Sequence, residues 1–430
     1  MSENIMRASA VTPTSGQASG SFEAALQLEA DGKDLEAEKL YRQILTQNPD
    51  HAGAIHRLGL MALRFGNFNA GITFLAKAVS LRPAQALYAF ELGNAYLRAQ
   101  RGGEAAVLYR RALGLDPNLD EAQHNLGLAL CATGDLDAGF AAMRSGFTLR
   151  SGKKSYRDAL PTAPSKKRHD REQLEYLVAA GIVDSSHFGS WQGRSTRKFN
   201  EAFNTLVHLE GGEKLDGPAI NPNTDVASIE RHWLESAPNL VVIDDLLTPA
   251  ALSELRRYCL GSTVWRRAYE GGYLGAMPEA GFACPLLAQI AEELGRGYTA
   301  IVREHRLTQW WAFKYDSQLK GINLHADFAA VNVNFWITPD EANLDPASGG
   351  LVVWDVAAPL DWDFATYNQN EPAARAFLAG AGAKPIVVPH RCNRAVIFDS
   401  DLFHETDTIR FKDGYQNRRI NITMLYGWRG

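Results

Sequence analysis

The sequence predicts a multidomain α plus β protein with an N-terminal array of paired helices, a helical connector and a C-terminal β core flanked by helices. Two observations support this: a motif that recurs every 34 residues early in the chain, and a series of short strands after residue 300. With 430 residues, 46% hydrophobic and 22% charged, the chain suits a soluble globular protein of two or three domains. We divide it into a disordered tail (1–17), repeats (18–151), a connector (152–238) and a C-terminal domain (239–430).

Charge and cysteine content argue against several classes of protein. The formal net charge of -5 disfavours a dedicated nucleic-acid binder, whose domain is usually basic. The four cysteines form no CxxC pair, which disfavours a disulfide framework or a thiolate zinc site and fits a reducing compartment. The N-terminal segment has no apolar signal-peptide core, and no run of about 18 apolar residues occurs, so we expect a cytoplasmic protein without membrane contact.

The recurring motif consists of a proline followed by a Leu-Gly pair. The small glycine lets two helices approach closely, and the proline ends one helical pair and begins the next. The three copies are Pro49 with Leu58-Gly59, Pro83 with Leu92-Gly93, and Pro117 with Leu126-Gly127. This pattern resembles the tetratricopeptide repeat (TPR), with four units of which the first and fourth are degenerate, as terminal units often are. The resemblance implies a concave groove for a peptide or protein partner, with pure scaffolding or dimerisation as the alternative.

The connector shows a weaker pattern. Lys166, Lys167 and Arg168 stand near prolines and indicate an exposed linker. Residues 170–173 have capping-box spacing ahead of an apolar run, which predicts a helix that stops near residue 181. A second amphipathic stretch predicts a helix over about 197–209.

The C-terminal domain is predicted to open with a strand at 239–245, followed by a helix that begins at Thr248 and Pro249. A second helix is predicted over about 285–304. Further strands are expected at 307–315, 322–327, 331–337, 351–355, 386–389, 395–398 and 420–426. Their spacing and alternation predict a β-sandwich or barrel core with helices outside.

His325 and Asp327 stand two residues apart on one of the expected strands. Residues i and i+2 of a strand point to the same face, so both side chains would project into the core. An imidazole and a carboxylate suit Fe(II), and a second histidine would complete a triad that leaves positions open for substrates and oxygen. His404 is the candidate third ligand. A His-x-Asp pair alone is close to a chance match, so the prediction depends on a further element.

That element lies on the last strand, where alternation places Arg419, Asn421 and Thr423 on one face. A buried guanidinium needs an anionic partner, because its charge is otherwise costly to desolvate, and it fits a carboxylate bidentately. A dicarboxylate that chelates iron at one end would present its other carboxylate here. If the strand faced the other way, Arg418 would point inward. We favour Arg419 because its same-face neighbours Asn421 and Thr423 are polar and would complete the binding site for the co-substrate.

Together these residues resemble the Fe(II)- and 2-oxoglutarate-dependent dioxygenases over residues 239–430. The family pattern of His-x-Asp, a distal His and a later Arg falls on His325, Asp327, His404 and Arg419. The resemblance implies a double-stranded β-helix (jelly-roll) fold, iron held by the first three residues, and 2-oxoglutarate bound by Arg419. It also implies that Tyr315 donates to a 2-oxoglutarate carboxylate and that the reaction is a hydroxylation.

The substrate is less well defined. The Arg-x-Asn-x-Thr run looks like the nucleic-acid-demethylating branch, but Leu425 replaces its second arginine and the acidic chain lacks a basic stripe. The fusion of repeats to such a domain is similar to collagen-type prolyl hydroxylases and to aspartyl/asparaginyl hydroxylases, which implies a peptide or protein substrate, with a small molecule also open. Segments 339–348 and 354–370 are predicted either to rim the entrance or to cover the strands. The aromatic residues of the second segment are Trp362, Phe364 and Tyr367.

Two other functions fit the same residues. In the first, the repeats are the active part and the β domain is a non-catalytic or sensing module. The second is a zinc hydrolase, because zinc also accepts His and Asp ligands. The oligomeric state is left open.

Overall fold

The computed structural model describes residues 15–158, 163–184, 207–316 and 321–429, with side chains from Gly20 onward except at 157 and 158. These residues form two compact units that divide between Ala122 and Gln123. Among the described helices, none combines the length and the apolar composition needed to cross a bilayer. The predicted tail falls mostly on residues 1–14, outside the described part of the chain, and its last residues already belong to a helix.

The first unit consists of consecutive helix pairs. Its helices are α1 (Ser15–Ala30), α2 (Asp34–Gln47), α3 (Ala52–Arg64), α4 (Phe68–Leu81), α5 (Ala86–Arg98) and α6 (Gly102–Leu115). Close approach at the Leu-Gly pairs holds α3 against α4 and α5 against α6. A Cβ on Gly59 would lie 2.9 Å from Leu75, and a Cβ on Gly93 would lie 2.8 Å from the ring of Tyr109. Because Tyr109 is fully buried, its ring cannot retreat into solvent.

Replacing Gly93 with alanine should therefore destabilise the protein by about 1–3 kcal/mol, because the added methyl group overlaps the ring of Tyr109. Gly114→Ala, on the helix that carries Tyr109, is the matched control, since nothing lies within 4 Å of the added Cβ. The control should be neutral or stabilise by up to about 1 kcal/mol. Urea unfolding of the full chain measures both variants, and equal midpoints would contradict this packing.

The second unit begins inside the predicted repeats, before their expected end at residue 151. Helix α7 (Asp120–Thr133) crosses the division, and α8 (Leu136–Ser151) packs into the core of the second unit. Phe140 stacks on Trp310 with ring centroids 4.3 Å apart, and Met143 is fully buried. By sequence pattern α8 belongs to the repeats, whereas by packing it belongs to the second unit.

The connector differs from its prediction. Lys166, Lys167 and Arg168 lie in helix α10 (Pro164–Ala179), and the exposed linker is wrong for Lys166, which is 1% exposed. Lys166 forms a buried ion pair with Asp170 one turn later, so its charge is compensated. The predicted helix at 197–209 falls mostly outside the described residues. The connector also contains α9 (Lys154–Asp158) and α11 (Val226–Glu235).

The rest of the second unit is built on antiparallel strands with helices around them. The strands are β1 (Leu240–Ile243), β2 (Trp265–Ala268), β3 (Tyr273–Ala276), β4 (Leu307–Tyr315), β5 (Val331–Trp336), β6 (Leu351–Ala357), β7 (Pro385–Val388), β8 (Ala395–Asp399), β9 (Leu402–Thr406) and β10 (Ile420–Tyr426). The helices are α12 (Pro249–Gly261), α13 (Pro285–Gly297), α14 (Thr299–Val302), α15 (Phe364–Gln369) and α16 (Glu371–Ala381). One sheet has seven strands in the order β1-β8-β5-β10-β4-β3-β2, and the other has three in the order β7-β6-β9.

The strand predictions agree with the structure at β1, β4, β5, β6, β7, β8 and β10 and differ elsewhere. Segment 322–327 is not a strand; within it only His325 pairs, through an isolated bridge. Strands β2 and β3 are not predicted, because four residues of mixed composition show no alternation. The predicted helix at 285–304 is two helices, since α13 ends at Gly297.

The two faces of the seven-stranded sheet differ in chemistry. Val331, Val333 and Phe335 of β5 join the apolar core that α12 and α13 also enter. The alternate residues of β5, Asn332 and Asn334, point to the other face, toward the three-stranded sheet. An apolar cluster joins the two sheets; its members are Trp336, Leu351, Val353, Val388, Val396, Phe398 and Leu402. The polar side chains of the core therefore lie between the sheets.

Candidate metal centre

Two histidines from distant parts of the chain are paired through their backbones. The N–H of His325 donates to the carbonyl of His404 at 3.0 Å, and the N–H of His404 donates to the carbonyl of His325 at 2.8 Å. His404 lies on β9, where it is also paired with Val353 of β6. The N–H of Asp327 donates to the carbonyl of Ser400 at 3.1 Å. These bonds fix the backbone around His325 although no continuous strand runs through it.

The side chains of His325, Asp327 and His404 converge, so that one potential ligand atom from each lies within 4.8 Å of the others. Asp327 Oδ1 lies 3.6 Å from His325 Nε2, and Asp327 Oδ2 lies 3.4 Å from His404 Nε2. The Nδ1 atoms of His325 and His404 lie 2.8 and 3.0 Å from the carbonyls of Asn323 and Leu402. A proton on each Nδ1 satisfies these carbonyls and leaves the Nε2 lone pairs free for a metal.

Burial and mutual contact set the protonation of these groups. Burial lowers the pKa of His325 to about 4; His404 reinforces this effect and Asp327 opposes it. Burial by itself raises the pKa of Asp327, but its contacts with His404, His325 and the Asn332 amide outweigh this effect and hold the pKa below its usual value. At neutral pH the site thus offers a neutral His325 imidazole and a carboxylate, the forms that bind a divalent metal.

A chain of buried amides connects Asp327 to the last strand. Asn332 Nδ2 donates to Asp327 Oδ2 at 2.7 Å, and Asn334 donates to Asn332. Asn334 Oδ1 accepts hydrogen bonds from Thr423 at 2.8 Å and from Asn421 at 3.3 Å. All five residues are buried, so the bonds are made at low dielectric and fix the orientation of the carboxylate.

Asn332 and Asn334 are absent from the residues predicted from sequence, because the prediction of this metal site was based on residue types that bind the metal directly. A signal was present in Val331-Asn332-Val333-Asn334-Phe335, where two amides alternate with apolar residues. Asparagine is disfavoured in strands. Two of them on one face of a core strand therefore indicate a polar site.

Arg419 is 2% exposed and lines the same cavity as the three ligand candidates. Its Nε donates to the carbonyl of Gly349 at 2.6 Å, its Nη2 to that of Gly350 at 2.9 Å, and its Nη1 to Asn421 Oδ1 at 3.3 Å. Among the described residues no carboxylate forms an ion pair with it, and Asp407 acts only at longer range. A buried cation in this state favours an anionic ligand.

The other predicted residues take defined places around this cavity. Tyr315 is buried, and the Arg419 guanidinium carbon lies 4.6 Å from the centre of its ring. Arg418 points away from the cavity and pairs with Glu172 at 2.8 Å. Thr406, two residues after His404, was not predicted; its hydroxyl lies 3.5 Å from that of Tyr315. Alternation from His404 along β9 was the signal for it.

A groove of about 900 Å³ leads from the surface to His325 and Asp327, two of the three ligand candidates. Aromatic rings form much of its wall. Tyr269 and Tyr273 are stacked with centroids 4.6 Å apart, and Phe313 meets both rings edge-on. Arg267 and Glu270 also line the groove and supply one charge of each sign. The groove therefore suits a substrate that offers apolar surface together with polar groups.

Part of the predicted rim lies on this groove. Phe364 lines it and is 47% exposed. Tyr367 is buried, and Trp362 packs against Phe377 and Phe403, so these two rings cover the β core. In segment 339–348, Asn343 forms an isolated bridge with Phe411.

Comparisons with known proteins concern the helical repeats. Residues 52–85 match the tetratricopeptide repeat family. The chain is 30% identical over 179 residues to the cellulose synthase 2 operon protein C of Komagataeibacter xylinus, which covers 41% of this chain and only 12% of that protein. Among solved structures, MamA protein is similar at 19% identity (44% of this chain, 91% of that chain, TM-score 0.30). A MamA from Desulfovibrio magneticus RS-1 is similar at 16% identity (40% and 89%, TM-score 0.31).

Asn332→Ala should weaken binding of a divalent metal by roughly 10- to 100-fold, because Asp327 loses the donor that orients it. Anaerobic calorimetric titration with Mn(II) measures the effect. Asn239→Ala is the control, since Asn239 also donates from its amide, to the carbonyl of Trp233 at 2.8 Å, but lies outside the cavity. Equal metal affinity in both variants would contradict an orienting role for Asn332.

Proposed function

We propose that the protein is an Fe(II)- and 2-oxoglutarate-dependent dioxygenase that hydroxylates a peptide or protein substrate, with the repeats recruiting the substrate or a partner. The observation that carries the proposal is the meeting of two groups in one cavity. The His325, Asp327 and His404 side chains converge there, and beside them lies Arg419, a buried cation without a carboxylate partner in the described residues. The antiparallel sheets that enclose the cavity are consistent with a double-stranded β-helix.

The donor set fits iron. Two imidazole nitrogens and one carboxylate match the ligand type of mononuclear Fe(II) oxygenases and would leave other positions open. The backbone carbonyls at the Nδ1 atoms and the Asn332 amide would hold the three ligands in place. When bound, the iron and 2-oxoglutarate supply the oxidising power for hydroxylation of an unactivated C–H bond.

The residues of the chain itself would bind and orient 2-oxoglutarate. Arg419 would pair with the carboxylate of 2-oxoglutarate that is remote from the metal, because its guanidinium still has N–H groups beyond the three that bond the backbone and Asn421. Tyr315 and Thr406 line the same cavity, with their hydroxyls 3.5 Å apart, and would donate to the same carboxylate. Asn421 and Thr423 act mainly through Asn334, which they hold against Asn332.

The groove supports a peptide or protein substrate. It is open along a wall of aromatic rings, among them Trp311 and Phe313, against which the apolar side chains of a peptide can pack. Such rings exclude water from a reacting C–H bond and pack against apolar side chains. In the first unit, a separate pocket of about 260 Å³ is lined by Arg57, Arg64 and Arg98, together with Glu29, Glu91 and Asn94. The repeats suggest an interaction surface, and we assign partner recruitment to this pocket.

Iron-dependent succinate release from 2-oxoglutarate tests the proposed activity. Asp327→Ala should lower it by more than about 100-fold, since loss of a ligand costs more than loss of its outer hydrogen bond. Asp361→Ala, which removes an exposed carboxylate, should leave the rate unchanged. The proposal fails if the wild-type protein shows no iron-dependent turnover, or if both variants are equally active.

Arg419→Lys should raise the 2-oxoglutarate KM by roughly 10- to 100-fold, because a point charge replaces the planar guanidinium fork. Arg391→Lys is the control, since Arg391 pairs with Asp244 at an exposed position. Initial rates at saturating iron measure both. An unchanged KM in Arg419→Lys would assign 2-oxoglutarate to another residue.

A scaffold with a non-catalytic β domain is the second candidate, favoured by the charged pocket of the repeats. In that case His404→Ala should retain the complete set of bound proteins, and Arg64→Glu with Arg98→Glu should lose it. Affinity capture with the full chain, followed by mass spectrometry, compares the two. Metal analysis of protein purified without oxygen separates iron from zinc, and hence an oxygenase from a hydrolase.

A further inference from the structure

Helix α10 lies across the ends of two strands of the seven-stranded sheet and is joined to each by an ion pair. Arg168 Nη2 lies 2.6 Å from Asp316 Oδ2, at the end of β4. Glu172 accepts from Arg418 at 2.8 and 3.1 Å, just before β10. Arg168 and Glu172 are four residues apart, so they share one face of the helix.

Each of these strand-end residues is the direct neighbour of a cavity residue. Asp316 follows Tyr315, and Arg418 precedes Arg419. Successive side chains in extended backbone point to opposite faces. The outward-facing residue that pairs with α10 therefore fixes the backbone position of its neighbour, whose side chain points into the cavity. The two positions are also linked to each other, because the Tyr315 N–H donates to the Arg419 carbonyl at 2.9 Å.

The Glu172–Arg418 pair is largely shielded from water, whereas the Arg168 side chain of the other pair is 54% exposed. Side-chain exposure is 8% for Arg418, 7% for Asp316 and 25% for Glu172, and Arg418 Nη1 lies 3.7 Å from Asp316 Oδ2, which closes the network. Pairs of this kind are stronger than exposed ones, and removal of one partner leaves a poorly solvated charge.

Further contacts anchor the same and the adjoining faces of α10. Gln173 Nε2 donates to the carbonyl of Ser262 at 2.8 Å. The rings of His169 and Tyr176 contact the ring of Tyr415, in the turn that leads into Arg418. The helix is therefore a fixed support for the two strand ends.

We propose that α10 is a positioning element for the co-substrate pocket: Glu172 and Arg168, acting through Arg418 and Asp316, hold Arg419 and Tyr315 in register to receive a carboxylate. This inference rests on the proposed function for the identity of the ligand. The support of the strand ends does not depend on it.

Glu172→Gln in the full chain tests the role, because it removes the charge and keeps the volume. We expect the dissociation constant for 2-oxoglutarate, titrated anaerobically into iron-loaded protein, to rise about tenfold. Iron affinity should change by less than about twofold, since the three ligands lie on other segments. Hydrogen exchange should accelerate at the amides of Tyr315 and Ile420. Glu175→Gln, which removes an exposed charge from the same helix, is the control, and Glu172→Asp should retain most of the affinity.

The proposal is overturned if Glu172→Gln matches Glu175→Gln in both 2-oxoglutarate affinity and amide exchange, or if iron and 2-oxoglutarate affinities fall together, which would indicate a general loss of structure. If the wild-type chain binds no 2-oxoglutarate, the proposed function fails instead. Amide exchange at Tyr315 and Ile420 then decides the positioning role alone: faster exchange in Glu172→Gln than in the control supports it, and equal exchange rejects it.

Discussion

The pair of backbone hydrogen bonds between His325 and His404 is the constraint on which the rest of the site depends. Without it, the segment around His325 would be an irregular loop, and no backbone contact would hold the two imidazoles next to each other. With it, Asp327 reaches both imidazoles from a segment that has no regular secondary structure. A loop is a less rigid support for a ligand than a strand. Here strands β6 and β9 compensate, because their pairing holds His404 rigidly from the other side.

The interior between the sheets is unusually polar for a β core, and it is polar in an ordered way. The amides of Asn332, Asn334 and Asn421 bond to one another in sequence and end on a carboxylate at one side and a guanidinium at the other. Such a network is stable only when its members are satisfied. At the guanidinium end, backbone carbonyls accept hydrogen bonds from Arg419 but do not neutralise its charge, so the pocket favours an anionic ligand.

Regular elements and same-face relations could be read from the sequence. Alternation identified most long strands, and it placed Arg419, Asn421 and Thr423 on one face. The failures have physical causes. His325 and Asp327 share a site through long-range pairing rather than through a strand, and Lys166 is buried because Asp170 neutralises it. Asn332 and Asn334 carry no charge and bind no metal themselves, so their role depends on neighbours that only the folded chain supplies.

The packing of helix α8 limits where the repeats can be separated from the second unit. It carries the last repeat in sequence, yet its aromatic face, including Phe140 and Phe147, lies in the core of the β unit. A gene break after residue 151, where the repeat pattern ends, would transfer that face to the wrong fragment and leave Trp310 uncovered. A clean separation of the repeats would therefore have to fall near Ala122, ahead of most of α7, because α7 and α8 both contribute to the core of the second unit.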